Sequence, residues 1–239
     1  MIRFLFLNVF IALNTIFWCT WAFFLTPFDR KKSLVHRYAG VPWARCILFV
    51  SGVKVISRGV ERIDPAIPRI YMCNHQSYFD ILTLLACLPV GFKFIMKKEL
   101  MKIPLLGFTM KSAGYIGIVR EDPRQAVKSM NEAAEKIRNG ASVLIFPEGT
   151  RSPDGRLQEF KKGGFNLALR ACSDIVPIAI TGSFKIVPKG SLTINRGTIR
   201  IGFGEAISIK DCSKHDMDLI MEKTRNAMLE LMQDEKSQE

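Results

Sequence analysis

The chain has 239 residues, 48% of them apolar, enough for one large domain or two small ones around a sizeable core. Its formal charge of +12 calls for an anionic partner (nucleic acid, a membrane surface or a phosphorylated substrate) unless it is only a solvated basic face. The cysteines, Cys19, Cys46, Cys73, Cys87, Cys172 and Cys212, form neither a CxxC pair nor a Cys/His cluster, which excludes a zinc framework. Most lie in apolar surroundings and read as reduced, structural thiols of a domain facing the cytoplasm.

Residues 4–28, "FLFLNVFIALNTIFWCTWAFFLTPF", carry no charge over 25 positions. That is long enough to cross a hydrocarbon core as a helix. A signal peptide would be shorter and would end in small residues, whereas this run ends in "TPFDRKK". Arg30, Lys31, Lys32 and Arg37 place the following chain on the cytoplasmic side. The next segment, residues 38–55, is broken by Gly40, Pro42, Arg45 and Gly52 and predicts an interfacial or re-entrant helix. Trp18, Trp21 and Trp43 suit a headgroup zone. Residues 1–58 are thus expected to be a membrane-associated helical segment and 59–239 a folded domain; the plain alternative is a buried core helix.

Downstream, short apolar runs alternate with helical patterns. Strands are expected at 69–74, 92–96, 115–119, 142–147, 174–180 and 197–207. Helices are expected at 77–88, 98–114 (interrupted by Pro104), 123–140, 163–172 and 215–233. The last has an apolar stripe at Met217, Ile220, Met221, Met228, Leu229 and Met232. Pro177 falls in the middle of its strand, which predicts an edge or a bulge there. The alternation implies an α/β fold, a mixed sheet flanked by helices, behind an N-terminal apolar helical anchor.

Two stretches carry candidate chemistry. In "CNHQSYFD", residues 73–80, His75 and Asp80 are five apart. Five residues turn a helix by about 500°, which leaves the pair about 140° out of line. They meet only if His75 lies in the turn before the helix and Asp80 reaches back from its first turns, with Asn74 and Ser77 shaping that turn. Asp80 would then fix the imidazole tautomer and leave the other nitrogen as a base. In a chain of this composition such a match arises by chance on the order of one time in eight, so it is weak alone. The second stretch, "FPEGTRS" at 146–152, follows a buried strand and offers Thr150, Arg151, Ser152 and exposed N–H groups to an oxyanion. Glu148 is out of place there unless it pairs with Arg151 or meets a substrate hydroxyl. Arg120, ending "GYIGIVR", and Lys97 and Lys98 in "KKEL" also stand at element ends where an anion could be met.

"NHQSYFD", "GYIGIVR", "FPEGTRS" and "IVPIAI" occur in the order of the four sequence blocks of the glycerolipid acyltransferases, and the chain resembles the 1-acyl-glycerol-3-phosphate acyltransferases among them. "KKELMKIPLLG" resembles that family too; the similarity covers roughly residues 40–210, and the apolar N-terminus is also like the family's. The resemblance implies acyl transfer from acyl-CoA or acyl-carrier protein to lysophosphatidic acid, giving phosphatidic acid. It implies no metal or covalent enzyme intermediate and no cofactor beyond the thioester co-substrate. His75 matches the family's general base and Asp80 the residue that orients it. Arg120, Glu148, Gly149, Thr150 and Arg151 match glycerol-phosphate-binding positions, and a phosphate-contacting lysine matches Lys97 or Lys98. Gly117 departs from the pattern, standing where the family carries a bulky residue, which predicts a wider pocket or altered acceptor choice.

The implied partners are lysophosphatidic acid, the thioester donor and membrane lipids, at the cytoplasmic face of an inner or cell membrane. No RNP-like, zinc-finger or helix-turn-helix signature supports nucleic acid. The alternatives are an acyltransferase with another acceptor, such as glycerol-3-phosphate or another lysolipid, and a non-catalytic lipid-binding protein.

Overall fold

The computed structural model describes residues 1–119 and 123–236. In chain order it contains α1 (Ile2–Leu25), α2 (Val41–Val50), β1 (Val53–Arg58), β2 (Ile70–Cys73), α3 (Phe79–Cys87), β3 (Phe92–Lys97) and α4 (Leu106–Ser112). There follow β4 (Ile116–Ile118), α5 (Pro123–Arg138), β5 (Ser142–Ile145), α6 (Lys162–Ala171), β6 (Ile175–Thr181), the single turn α7 (Ser183–Ile186), β7 (Gly197–Phe203) and α8 (Met217–Lys236).

Among the described residues the strands form one seven-stranded sheet in the order β1-β7-β6-β2-β5-β3-β4. Every neighbouring pair is parallel except β6 with β7. The central strands are apolar on both faces because both faces are covered. Alternate side chains divide between two cores. Tyr71, Cys73, Leu144 and Ile178 pack with Leu7, Ile47 and Leu84 beneath α1, α2 and α3. Ile70, Met72, Val143 and Ile145 pack with Ala133, Phe165 and Met228 beneath α5, α6 and α8. The sheet is thus mixed and flanked by helices, with the apolar N-terminal helix laid on one layer.

Three expectations need correction. A boundary at residue 58 cuts the sheet, because residues 53–58 are β1 and pair in parallel with residues 197–202 of β7. The helix before it is shorter than 38–55 and is anchored in the core: Ala44, Ile47 and Leu48 are buried, and only its outer side, with Phe49, faces out. A six-residue strand that pairs so far along the chain leaves no local periodic signal.

Pro177 lies inside the sheet at a bulge, the second of the two arrangements its place in the strand predicts. Its carbonyl accepts Gly204 N–H at 2.9 Å, so its ring nitrogen faces the chain just beyond β7. Ile178 pairs with Phe203, yet Ile175 bridges Ile207, so the partner carries one extra residue opposite the proline. That is a bulge, and it sits where no ladder N–H is needed. Gly204 makes room, since a Cβ there would lie 2.8 Å from the proline Cγ.

Gly117 does not widen a pocket. A Cβ on it would meet Met101 Sδ at 2.9 Å and Lys98 Cα at 3.2 Å, so the turn after β3 fills the space a larger residue would take.

Candidate active site

Parallel strands β2, β5, β3 and β4 deliver their following loops to one edge of the sheet, and β6, parallel to β2, adds a fifth. Ligand sites of α/β sheets collect at such carboxyl edges. Every candidate residue in the described part of the chain stands there.

His75 leaves the sheet directly after β2. Asn74 continues the strand with its side chain, donating to Ile180 O at 2.8 Å and accepting Ile180 N–H at 2.7 Å. His75 is then gripped through its backbone. Its N–H donates to Glu148 Oε1 at 2.6 Å, and its carbonyl accepts Ser152 N–H at 2.7 Å. The ring lies on Phe146, with centroids 3.9 Å apart and planes 13° from parallel.

Asp80 sits in the first turn of α3 and reaches back across it. Its Oδ2 accepts from His75 Nδ1 at 2.8 Å, from Gln76 N–H at 2.6 Å and from Ser77 N–H at 2.8 Å. This is the pairing across a helix start that the spacing requires. A carboxylate only accepts, so in the neutral ring Nδ1 carries the proton and Nε2 the lone pair. Ser77 shapes the turn as expected, donating to Val187 O at 2.8 Å and accepting Phe79 N–H at 3.3 Å. Asp80 is fully buried and its Oδ1 has no partner among the described residues.

The 146–152 turn packs directly on this one. Gly149 takes φ of 72°, the left-handed region where a side chain would be strained. Glu148 is buried, and its second oxygen accepts Gln158 N–H at 3.0 Å. Burial pushes its carboxyl pKa up, against the pull of the two backbone N–H groups. Glu148 clamps the His75 backbone to the 156–158 loop. Arg151 lays its guanidinium over Tyr78, 3.7 Å from the ring centroid. Its Nη1 is buried with no hydrogen-bond partner among the described residues, although an arginine donor is rarely left so. Thr150 is exposed, and its Oγ1 accepts Lys189 Nζ at 3.3 Å; the same Nζ donates to Arg151 O at 2.9 Å.

Lys97 and Lys98, both exposed, stand where β3 ends. Lys97 Nζ is 3.8 Å from Glu99. β3 lies two strands from β2, hence about 10 Å from His75 across the sheet edge. Arg120 lies outside the described residues.

Sequence reasoning missed Phe146, Tyr78, Gln158 and Lys189. The first two stand inside the quoted blocks, where a ring beside a charged residue was a signal left unused. Gln158 and Lys189 have no local signal, since their partners lie eight to 39 residues away.

A histidine held by a buried carboxylate thus stands beside a turn that carries an arginine. The chain belongs to the acyltransferase family, whose family model matches residues 54–181. It is 37% identical over 211 residues to the chloroplastic 1-acyl-sn-glycerol-3-phosphate acyltransferase of Brassica napus, covering 87% of this chain and 59% of that one. It is 39% identical over 180 residues to a chloroplastic enzyme of the same name from Arabidopsis thaliana, covering 74% and 50%. The chain thus spans only about half to three fifths of the length of these plant relatives. With the Pseudomonas aeruginosa 1-acyl-sn-glycerol-3-phosphate acyltransferase it shares 32% identity over 199 residues, covering 80% and 74%. The crystal structure of the 1-acyl-sn-glycerophosphate acyltransferase PlsC from Thermotoga maritima superposes with a TM-score of 0.83 at 25% identity, covering 98% of this chain and 95% of that one.

Proposed function

We propose that the chain moves an acyl group from a thioester donor, acyl-CoA or acyl-carrier protein, to the free hydroxyl of 1-acyl-glycerol-3-phosphate, giving phosphatidic acid. The observation that carries this reading is the junction of the two turns: His75 held by Asp80, next to Arg151 with a buried donor left unpaired. The names of the relatives support the choice of acceptor.

In this mechanism Nε2 of His75 takes the hydroxyl proton as the oxygen attacks the thioester carbonyl. The C–O bond forms, the C–S bond breaks, and the thiolate leaves with that proton. A general base of this kind contributes about 10²–10⁴ in rate. Positioning supplies much of the rest. Arg151 holds the phosphate, with Lys97 and Lys98 following from the same sheet edge and Arg120 joining them as the family resemblance implies. Gly149 and Thr150 shape the turn that presents Arg151.

The same reading puts α1 in one leaflet of the membrane rather than across it. At 24 residues the helix is about 36 Å long. It touches the α/β body from end to end. The Arg3 guanidinium donates to Ile194 O and, at 2.9 Å, to Ser51 O. Asn14 donates to Trp43 O at 3.3 Å, and the Phe23 ring lies 5.7 Å from Phe108. A helix bound along its length to one body cannot carry that body on one side and its own far end on the other. Its outer face, with Phe6, Leu13, Phe17 and Phe24 exposed, is left for acyl chains. Thioester donors then reach the site from the cytoplasm.

The test is turnover by the purified full chain in detergent micelles with lysophosphatidic acid, acyl-CoA and acyl-carrier protein in separate reactions. Phosphatidic acid from at least one donor is the expected result. No product from lysophosphatidic acid, with transfer to glycerol-3-phosphate or another lysolipid, would overturn the choice of acceptor.

A further inference from the structure

We propose that residues 98–111, between β3 and β4, form a second lipid-contacting element that enters an anionic bilayer beside the mouth of the site. The proposal rests on the membrane reading above but on different residues.

The segment exposes Leu100 (45%), Ile103 (43%), Leu105 (53%) and Phe108 (43%), four large apolar side chains within nine residues. That is a patch rather than scattered surface residues. The backbone is bent to present it. Leu105 takes φ of 59°, a conformation that a leucine adopts only when its surroundings hold it there. Gly107 allows the turn to fold tightly back, since a Cβ there would lie 2.2 Å from Met101 O. With the inward side of α4 filled by Gly107 and Met110, the larger residues are turned out.

The patch continues the apolar face of α1. Phe108 packs against Phe23 at 5.7 Å, and Phe23 and Phe24 are themselves 59% and 60% exposed. The two surfaces therefore meet one medium. Lys98, Lys102 and Lys111 are exposed along the segment, against a single acid, Glu99, which lies 3.8 Å from Lys97. Apolar side chains with lysines at their margins fit a leaflet with anionic headgroups, the stems in the hydrocarbon boundary and the ammonium groups among phosphates. An acidic protein would pair the lysines but leave the leucines and Phe108 wet. A second copy of this chain would bring the lysines together.

The place of the element gives it a purpose. It begins at the residue after β3, on the sheet edge that carries His75 and Arg151. An amphiphile with its tail along this ledge presents its headgroup to that edge, so the acceptor can enter from the leaflet without leaving it.

The experiment reconstitutes the full chain on phosphatidylglycerol-containing vesicles doped with a phospholipid bearing a diazirine in its acyl chain. After photolysis and trypsin, lipid adducts are mapped by mass spectrometry. Adducts are expected on residues 4–30 and 103–111, the latter at least about 5-fold above residues 226–236 of α8 in the opposite layer. The double substitution Ile103→Glu, Phe108→Glu is expected to lower adducts on 103–111 several-fold while those on 4–30 persist. Labelling of 4–30 with none on 103–111, or protection of 103–111 by a second copy of the chain, would overturn the proposal. Labelling needs no turnover, so its outcome is separate from that of the acyl-transfer assay. In that assay the double variant is expected to lose kcat/KM toward lysophosphatidic acid in vesicles but not toward a dispersed short-chain analogue. Equal loss on both would also count against the ledge.

Discussion

Two of the histidines stand in opposite surroundings. His75 sits on a turn at the sheet edge, with one nitrogen on Asp80 at 2.8 Å and the ring partly open to the site. His36 is buried where the helical hairpin meets the sheet, edge-on to Phe92 at 4.8 Å with Nδ1 3.3 Å from Tyr115 Oη. It has no carboxylate partner among the described residues. Burial, with Lys93 nearby, lowers its pKa to about 4. The difference teaches that a histidine becomes a base through what holds it and what it faces. A carboxylate and an opening are what fit His75 to the proposed role of base, while aromatic walls keep His36 neutral and structural.

The comparison breaks first at His75. His75→Ala is expected to lower acyl transfer by at least about 10³-fold, with an unchanged melting temperature in detergent, because its loss removes the base and no packed core. Asp80→Asn should cost about 10²–10³-fold, since the amide can present an N–H where Nδ1–H needs an acceptor. Asp80 also accepts two buried backbone N–H groups, so this variant is expected to melt earlier, by about 1–3 kcal/mol of lost stability. Equal activity of Asp80→Asn and the parent would show that the pair is structural.

How far this was legible in the sequence depends on the range of each contact. The His75–Asp80 pairing spans one helix start, so helix geometry alone limited it to the arrangement found. The buried strands and the stripe of α8 show in local periodicity, because each is fixed by the face it turns inward. β1 could not be read, since its place depends on pairing with β7, more than a hundred residues on. The bulge at Pro177 is legible from the proline but its partner Gly204 is not, and the clamp on the His75 backbone depends on Glu148, 73 residues away. The block order singles out Glu148 but gives no sign of this backbone clamp. A carboxylate beside an arginine reads as part of an anion site, and the structure adds that each of its oxygens accepts a backbone N–H.

Arg151 sharpens the comparison on the binding side. Arg151→Ala is expected to raise the KM for the phosphorylated acceptor about 10–100-fold, the range for loss of a charge-assisted contact, with a smaller change in kcat. An unchanged KM would remove it from the phosphate site. Glu148→Gln should act more mildly. One oxygen still accepts, but the amide turns a donor toward a backbone N–H, loosening the His75 turn. A fall in kcat of about 10-fold with little change in KM is expected, because the base is displaced and the phosphate site is not.

The smallest effect, and the one that tests the other half of the comparison, is at His36. Its folded-state pKa lies below the ordinary value of 6.5, so the unfolded chain binds this proton more readily. The stability tied to a neutral His36 is therefore full above pH 6.5 and is lost as the pH falls from there towards about 4. His36→Phe should remove that dependence. Near pH 7 the variant is expected to be less stable by about 1 kcal/mol, for the partner taken from the Tyr115 hydroxyl. By pH 5 the parent has lost about 2 kcal/mol that the variant keeps, so the order of the two melting temperatures should reverse. Activity at pH 7 should stay near that of the parent, because His36 touches neither turn of the site. A large loss of activity at pH 7 in a well-folded His36→Phe protein would mean that the junction does more than hold the hairpin to the sheet.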